Sequence, residues 1–162
     1  DMLQSMHRDD VEIRTADERD RDAVVAMAKR LTTGVAAWRD EAAAEKAVRS
    51  WVTDSLDAAH PETRPVLVAV VDQAVVGFVT TGTRAHWAGD VDAYVGELVV
   101  VEQRAGHGVG RKLMEAAESW ARQSGFQRLT IETGAANTAA RNFYKAAGYA
   151  EEEVVLSKAL RD

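Results

Sequence analysis

The chain has 162 residues and no cysteine, so neither a disulfide framework nor a thiolate-ligated metal site is open to it. Its four histidines, His7, His60, His86 and His107, are scattered without paired ligand spacing, and no metal centre is expected. No apolar run approaches the length of a membrane span and no signal-peptide pattern occurs, so the expected location is cytoplasmic, with no membrane partner. Linkers, repeats and low-complexity tracts are also missing. A net charge of -6 argues against nucleic acid and is compatible with a cationic partner. What remains, 46% hydrophobic and 28% charged residues over a length that supports one core, is the composition of a single globular domain. That domain is expected over residues 11–162. Residues 1–10 read as a disordered or non-native N-terminal tail, since the chain opens on Asp1.

The most informative stretch is Gly106-His107-Gly108-Val109-Gly110, set between two different hydrophobic periods. Upstream, Val95 to Val101 reads as a buried strand. Downstream, Val109, Leu113, Ala117, Trp120 and Ala121 recur at helical spacing until Gly125 offers a stop. Gly-rich backbone that enters a helix exposes N–H groups at the positive end of the helix dipole, and no β-carbon obstructs an anion there. The dinucleotide fingerprint G-x-G-x-x-G fails, because its third glycine falls on Arg111 or Leu113, and the P-loop string does not occur. The plainer alternative is a tight turn with Arg111 and Lys112 solvated, and both readings stand at this point.

The rest of the chain reads as alternating elements. Val11 to Arg14 is a first strand, and Thr15 with Glu18 forms a capping box for a helix bearing Val24, Ala28 and Leu31. A second helix runs from about Asp40 to Ala59 with Ala44, Val48, Trp51, Val52 and Leu56 on its apolar stripe, and the only two prolines, Pro61 and Pro65, end it. Val66 to Val71 and Ala74 to Thr81 form a hairpin turning at Asp72-Gln73. After the glycine loop and its helix come a strand, Leu129 to Thr133, a helix after Asn137, and a final strand from about Glu153 to Lys158. The order is β-α-α-β-β-β-α-β-α-β.

Two motifs, E-L-x-V-x-x-x-x-x-G-x-G-x-G-x-x-L-M from Glu97 and N-x-x-A-x-x-F-Y-x-x-x-G-Y from Asn137, together resemble the GCN5-related N-acetyltransferase superfamily from about residue 65 onward. The resemblance implies an α/β fold with a mixed, mostly antiparallel sheet flanked by helices on both faces. It also implies acetyl-CoA as cofactor. The N–H groups of His107, Gly108, Val109 and Gly110 would hold the pyrophosphate, with Gly106 and Arg111 beside them. The chain departs from the family at Ala105, where Arg or Gln is common, with Gln103 and Arg104 just upstream. The pantetheine arm would lie along Leu98, Val99, Val100 and Val101, and the Val99 N–H would polarise the thioester carbonyl. Asn137 would contact the arm from the other side, with Ala140 and Phe143 on the same helix, although Asn137 serves equally as a helix cap.

Tyr144 corresponds to the tyrosine that protonates the departing thiolate in many members, and otherwise packs beside Phe143. Glu97 is the candidate general base, since a lone carboxylate in a Val-rich strand is costly to bury without a purpose; a strand-end Glu exposed at a sheet opening is the alternative. The acceptor, a small and cationic primary amine, would meet Trp38, Asp40, Trp87, Asp90 and Asp92 on the flanking loops, together with Tyr94 and Glu97. Trp38 and Trp87 fit core or dimer contacts as well. Aminoglycosides lead the acceptor classes, ahead of polyamines, amino acids and protein N termini. A homodimer is compatible with the family. A non-catalytic CoA-binding sensor and an interaction protein whose glycine loop is only a turn are the readings from other classes.

Overall fold

A computed structural model describes residues 10–161. The tail expected for residues 1–10 therefore lies, apart from Asp10, outside the described residues. Nine regular elements follow: β1 (Glu12–Thr15), α1 (Arg21–Met27), α2 (Glu41–Asp57), β2 (Val66–Val71), β3 (Ala74–Ala85), β4 (Val91–Val100), α3 (Val109–Gln123), β5 (Leu129–Ile131) and α4 (Thr138–Ala146). The strands form one sheet in the order β1-β2-β3-β4-β5. Every pairing is antiparallel except β4 with β5, which run parallel through only three residue pairs. This is the mixed, mostly antiparallel sheet that was expected.

Alternation along the strands sends side chains to two cores. On one face Ala69, Val71, Val79 and Val95 pack on Val109, Leu113, Met114 and Ala117 of α3, with Phe143 and Tyr144 of α4 at the margin. On the other, Val68, Val70, Phe78 and Val99 pack on Val24, Met27 and Ala28 of the first helical segment and Val52 of α2. Helices thus cover both faces. The β2–β3 turn places Asp72 and Gln73 at φ 48° and 65°, the left-handed pair that a two-residue hairpin loop needs to match strand twist. No helix among the described residues is long and apolar enough to cross a membrane.

Three local expectations are corrected. The 3-10 turn Glu18–Asp20 that leads into α1 is capped by Asp17, whose carboxylate accepts from the Arg19 N–H while Asp20 accepts from the Asp17 N–H, so the box is Asp17/Asp20 and not Thr15/Glu18. The Asp20 carboxylate is also held by a bidentate Arg14 at 2.7 and 2.9 Å, which favours the later start and holds its pKa below the usual range. Trp51, placed on the apolar stripe of α2, is 56% exposed, because the burial of α2 rests on Val48 and Val52. Most consequentially, residues 153–158 form no strand. Val154, Val155, Leu156 and Leu160 are 71–91% exposed. β5 offers only three residues to a new neighbour, and the acidic run ahead of the segment is drawn elsewhere: Glu151 to Arg141 at 2.5 Å, Glu152 and Glu153 to His86 at 3.5 and 3.8 Å.

Phe78, wholly buried between α1, α2 and the sheet, should lose ~3–5 kcal/mol of stability on replacement by alanine, whereas Trp51→Ala should change it by less than ~1 kcal/mol. Thermal or denaturant unfolding of the two variants checks the contrast.

Candidate active site

The site begins with an interruption in the β3–β4 ladder. Val79 faces Leu98 and Thr81 faces Val95, so Gly96 and Glu97 together oppose Thr80. This β-bulge breaks the period of two and turns Glu97 onto the same face as Tyr94 and Val99. Without it, Tyr94 and Glu97 would point to opposite faces. The Thr80 hydroxyl repairs the local hydrogen bonding: it accepts from the Glu97 N–H at 2.9 Å and donates to Glu97 Oε2. Ser55 of α2 donates to the same oxygen at 3.0 Å.

Glu97 is only 6% exposed. Burial raises its pKa above the ordinary carboxylate value; the bonds from Thr80 and Ser55 oppose that rise, and nearby Asp54 adds to it. Its Oε1 takes no hydrogen bond from the described residues. Since no buried side-chain polar atom there is left unpartnered, Oε1 reaches the adjoining cavity. That cavity, of about 300 Å³, lies between α2 and strands β3 and β4, lined by Asp54, Ser55, Arg64, Thr80, Tyr94 and Glu97 among others. The Tyr94 phenol, its pKa raised chiefly by burial, carries the Arg84 guanidinium 5.0 Å from its ring centre, and Arg84 is in turn paired with Glu132. A wider groove of about 500 Å³ lies between Ala26–Thr33 and Val101–Gln103. It holds no buried carboxylate, whereas the smaller cavity is lined by the buried Glu97.

A second opening runs along β4. Its ladder with β5 stops at Val95, while the strand continues to Val100. The Val101 N–H donates to Val76 of β3 at 2.9 Å, so by antiparallel alternation the Val99 N–H also points towards β3. The Val99 carbonyl agrees, lying 2.8 Å from where a β-carbon on Gly77 would stand. The N–H groups of Leu98 and Val100 face the open side instead. The Val99 N–H, expected to face a bound thioester, is thus turned to β3, and the N–H groups on the open side are those of Leu98 and Val100.

Past β4, Glu102–Arg104 makes one 3-10 turn, and the Ala105 N–H donates to Glu102. Gly106 and Gly108 adopt φ of 75° and 81°, and a β-carbon on either would meet nothing within 4 Å. The His107 N–H is engaged by the Arg104 carbonyl at 3.3 Å, and the first intrahelical bond is Lys112 to Gly108. The run of donors without a protein acceptor is therefore Gly108 to Arg111, one residue later than expected. Four convergent amides, an open face and the positive end of α3 fit a diphosphate. The Arg111 side chain turns along the helix to Glu115 at 3.0 Å. Phe143 of α4 packs beside Gly110, 3.6 Å from where a β-carbon there would stand, an ordinary contact.

Asn137 caps α4, accepting from the Ala140 N–H at 3.1 Å, and its amide donates to the Thr33 carbonyl at 3.3 Å. A β-carbon on Gly34 would stand 2.4 Å from that of Asn137, so the α1–α2 connection crosses tightly over the start of α4. Tyr144 packs edge-on between Phe143 and Tyr149, at 5.2 and 5.7 Å. Burial raises the Tyr144 phenol well above its ordinary pKa, and its hydroxyl has no hydrogen-bond partner among the described residues.

Of the residues expected at the acceptor, only Tyr94 and Glu97 line the cavity. Asp40 caps α2 at 2.7 Å from the Ala43 N–H, Asp92 is buried in β4, and the Asp90 carbonyl accepts from the His86 N–H. Trp87, 86% exposed, leans on His86, and Trp38 is 70% exposed. Sequence reasoning missed Asp54, Ser55, Arg64 and Thr80. Nothing local marks them, because their role arises from α2 lying across the β4 bulge.

The sequence profile of the acetyltransferase (GNAT) family matches residues 24–149, and the chain belongs to that family. An N-alpha-acetyltransferase 30 from Schizosaccharomyces pombe is 28% identical over 82 residues, 51% of this chain, and the chain spans about half (55%) of that relative's length. Among solved structures, the PaiA N-acetyltransferase from Thermoplasma acidophilum in complex with coenzyme A superposes with a TM-score of 0.71 at 18% identity, covering 90% of this chain and 93% of that one. An aminoglycoside N-acetyltransferase in complex with CoA gives 0.68 at 17% identity, covering 94% and 96%. At these identities the likeness is one of fold.

Gly108→Val would force a β-branched side chain into a left-handed backbone and fill the cradle, so calorimetry should show acetyl-CoA affinity falling by more than about ten-fold. Thr80→Val removes two hydrogen bonds at Glu97. It should cost about 1–3 kcal/mol in unfolding free energy and move the acid limb of kcat/KM to higher pH, since Thr80 holds the carboxyl pKa down.

Proposed function

We propose that this acetyltransferase moves the acetyl group, by direct transfer in a ternary complex, to a primary amine of a small acceptor seated in the cavity beside Glu97. The observation that carries the proposal is Glu97 itself: a nearly buried carboxylate, held on one oxygen by Thr80 and Ser55, with the other turned to the cavity. Bound acetyl-CoA supplies an activated thioester. The amides of Gly108 to Arg111 bind its diphosphate, and the open edge of β4 pairs with its pantetheine arm, Leu98 or Val100 donating to the thioester carbonyl. A primary amine is protonated at neutral pH and cannot attack until it loses a proton. Glu97 takes that proton, directly or through one water, helped by its raised proton affinity. The Tyr144 phenol, kept protonated by burial, gives its proton to the departing sulfur.

Aminoglycosides are the first acceptors to try, supported by the kind of enzyme found among the fold neighbours, followed by polyamines, amino acids and protein N termini. Residues 11–162 act as one domain in the cytoplasm. Exposed Val154, Val155, Leu156 and Leu160 support a homodimer.

Release of CoA thiol with a panel of these amines tests the proposal, and tight acetyl-CoA binding without turnover would make the protein a sensor. Glu97→Gln should lower kcat/KM by about 10²-fold or more, most steeply at low pH. The folded-state pKa of Glu97 is raised, so its ionised form burdens the fold above that pKa and the burden disappears below the ordinary carboxylate value. The same variant should therefore be more stable than wild type near pH 8, with the difference vanishing near pH 4. Tyr144→Phe should lower kcat while leaving acetyl-CoA affinity nearly intact, and unchanged turnover would remove its role as acid.

A further inference from the structure

The acceptor cavity carries charges of both signs that do not neutralise each other. Asp54 and Glu97 lie on its helical and sheet sides, and Arg64 enters from the loop between α2 and β2. Asp54 and Arg64 are exposed, and their side chains make no ion pair or hydrogen bond with each other or with any other described residue. The other guanidinium near the site, Arg84, is committed to Glu132 and to the Tyr94 ring. Arg64 is thus the one basic side chain lining the cavity.

Its placement is built into the fold. The His60 and Arg64 backbones exchange two hydrogen bonds of 3.0 Å, closing a small loop between Pro61 and Pro65 that aims the side chain over β3. There Arg64 Nε lies 3.7 Å from where a β-carbon on Gly82 would stand. That spacing is an ordinary contact, and it places the guanidinium directly above the strand. A planar, permanently charged fork with no protein partner suits a carboxylate, which it can bind through two parallel N–H bonds. The same charge disfavours a polycation by like-charge repulsion inside a partly enclosed, less polar space.

We infer that the acceptor is dipolar: a primary amine that also bears a carboxylate, of the amino-acid type, with its ammonium end at Asp54 and Glu97 and its carboxylate on Arg64. Tyr94 and the exposed Thr83 line the same cavity and offer it neutral hydrogen-bonding groups, whereas the Thr80 and Thr81 hydroxyls are taken by Glu97 and the Pro65 carbonyl. The inference rests on the proposed amine acetylation and narrows its substrate, placing amino acids ahead of aminoglycosides and polyamines.

The test measures thiol release by the full chain with acetyl-CoA and three acceptor sets: α- and ω-amino acids, their amides or methyl esters, and polycations (aminoglycosides and polyamines). At least one free acid should exceed its own amide in kcat/KM by about ten-fold or more, through KM. Arg64→Ala should collapse that ratio towards one, and Arg64→Lys should restore part of it, although a lysine lacks the bidentate fork. Turnover of amides or polycations at rates equal to or above those of the acids would overturn the inference while leaving amine acetylation intact. So would an acid-to-amide ratio unmoved by Arg64→Ala. No thiol release with any set, at saturating acetyl-CoA, would overturn both.

Discussion

The site depends on one irregularity in an otherwise regular sheet, the bulge that sets Gly96 and Glu97 against the single residue Thr80. A bulge costs one ladder hydrogen bond and bends the strand. Here the Thr80 side chain supplies the missing acceptor and at the same time grips the carboxylate that the bulge re-aims. The same two atoms of Thr80 thus satisfy the backbone and orient Glu97. Gly96 stands directly at this point, and a β-carbon there would lie 3.0 Å from the Thr80 hydroxyl, so a side chain would crowd the contact that holds the site together. Packing by Val95 on one face and Val99 on the other anchors β4 to either side of the break, so the strand cannot relax by slipping one residue.

The opening for the cofactor has a related origin. β4 stays paired to β3 along its length, yet parts from β5 after three pairs, because β5 ends at Ile131 and its chain turns off towards the cap of α4. Beyond the split, two glycines at positive φ carry the chain into α3 with their faces bare, and the Phe143 ring of α4 packs beside Gly110 in the first turn of that helix. The cradle therefore follows directly on the free edge of β4. Glu97 reaches its cavity on the α2 side of the same strand. In the proposed reaction the acetyl donor and the amine would meet across β4.

Much of this was legible in the sequence, because the signals were local. The glycine alternation, the helical period from Val109 to Ala121 and the Asn137 cap each depend on neighbours a few residues away. The hairpin at Asp72-Gln73 formed despite lacking glycine. What failed had a tertiary cause. The bulge is a mismatch between two strands and leaves no mark in either alone, so a strict period of two does not reveal that the Val99 N–H faces β3. Trp38, Asp40, Trp87, Asp90 and Asp92 looked like acceptor contacts by type and by loop, but capping, strand burial and outward loop geometry keep them from the cavity. Residues 153–158 have strand-forming side chains and no adequate edge to join. Asp54, Ser55 and Arg64 were invisible because a polar residue on a helix or loop carries no sign of what will lie opposite it.

The central claim is that the bulge makes Glu97 a buried, cavity-facing proton acceptor. Its most direct test is titration of the Glu97 side-chain carboxyl by carbon-detected NMR in the folded protein, set against the acid limb of kcat/KM. The account predicts a midpoint above the ordinary carboxylate range that coincides with the kinetic limb. A carboxyl that titrates at its ordinary value, or at a pH unrelated to the rate, would contradict it.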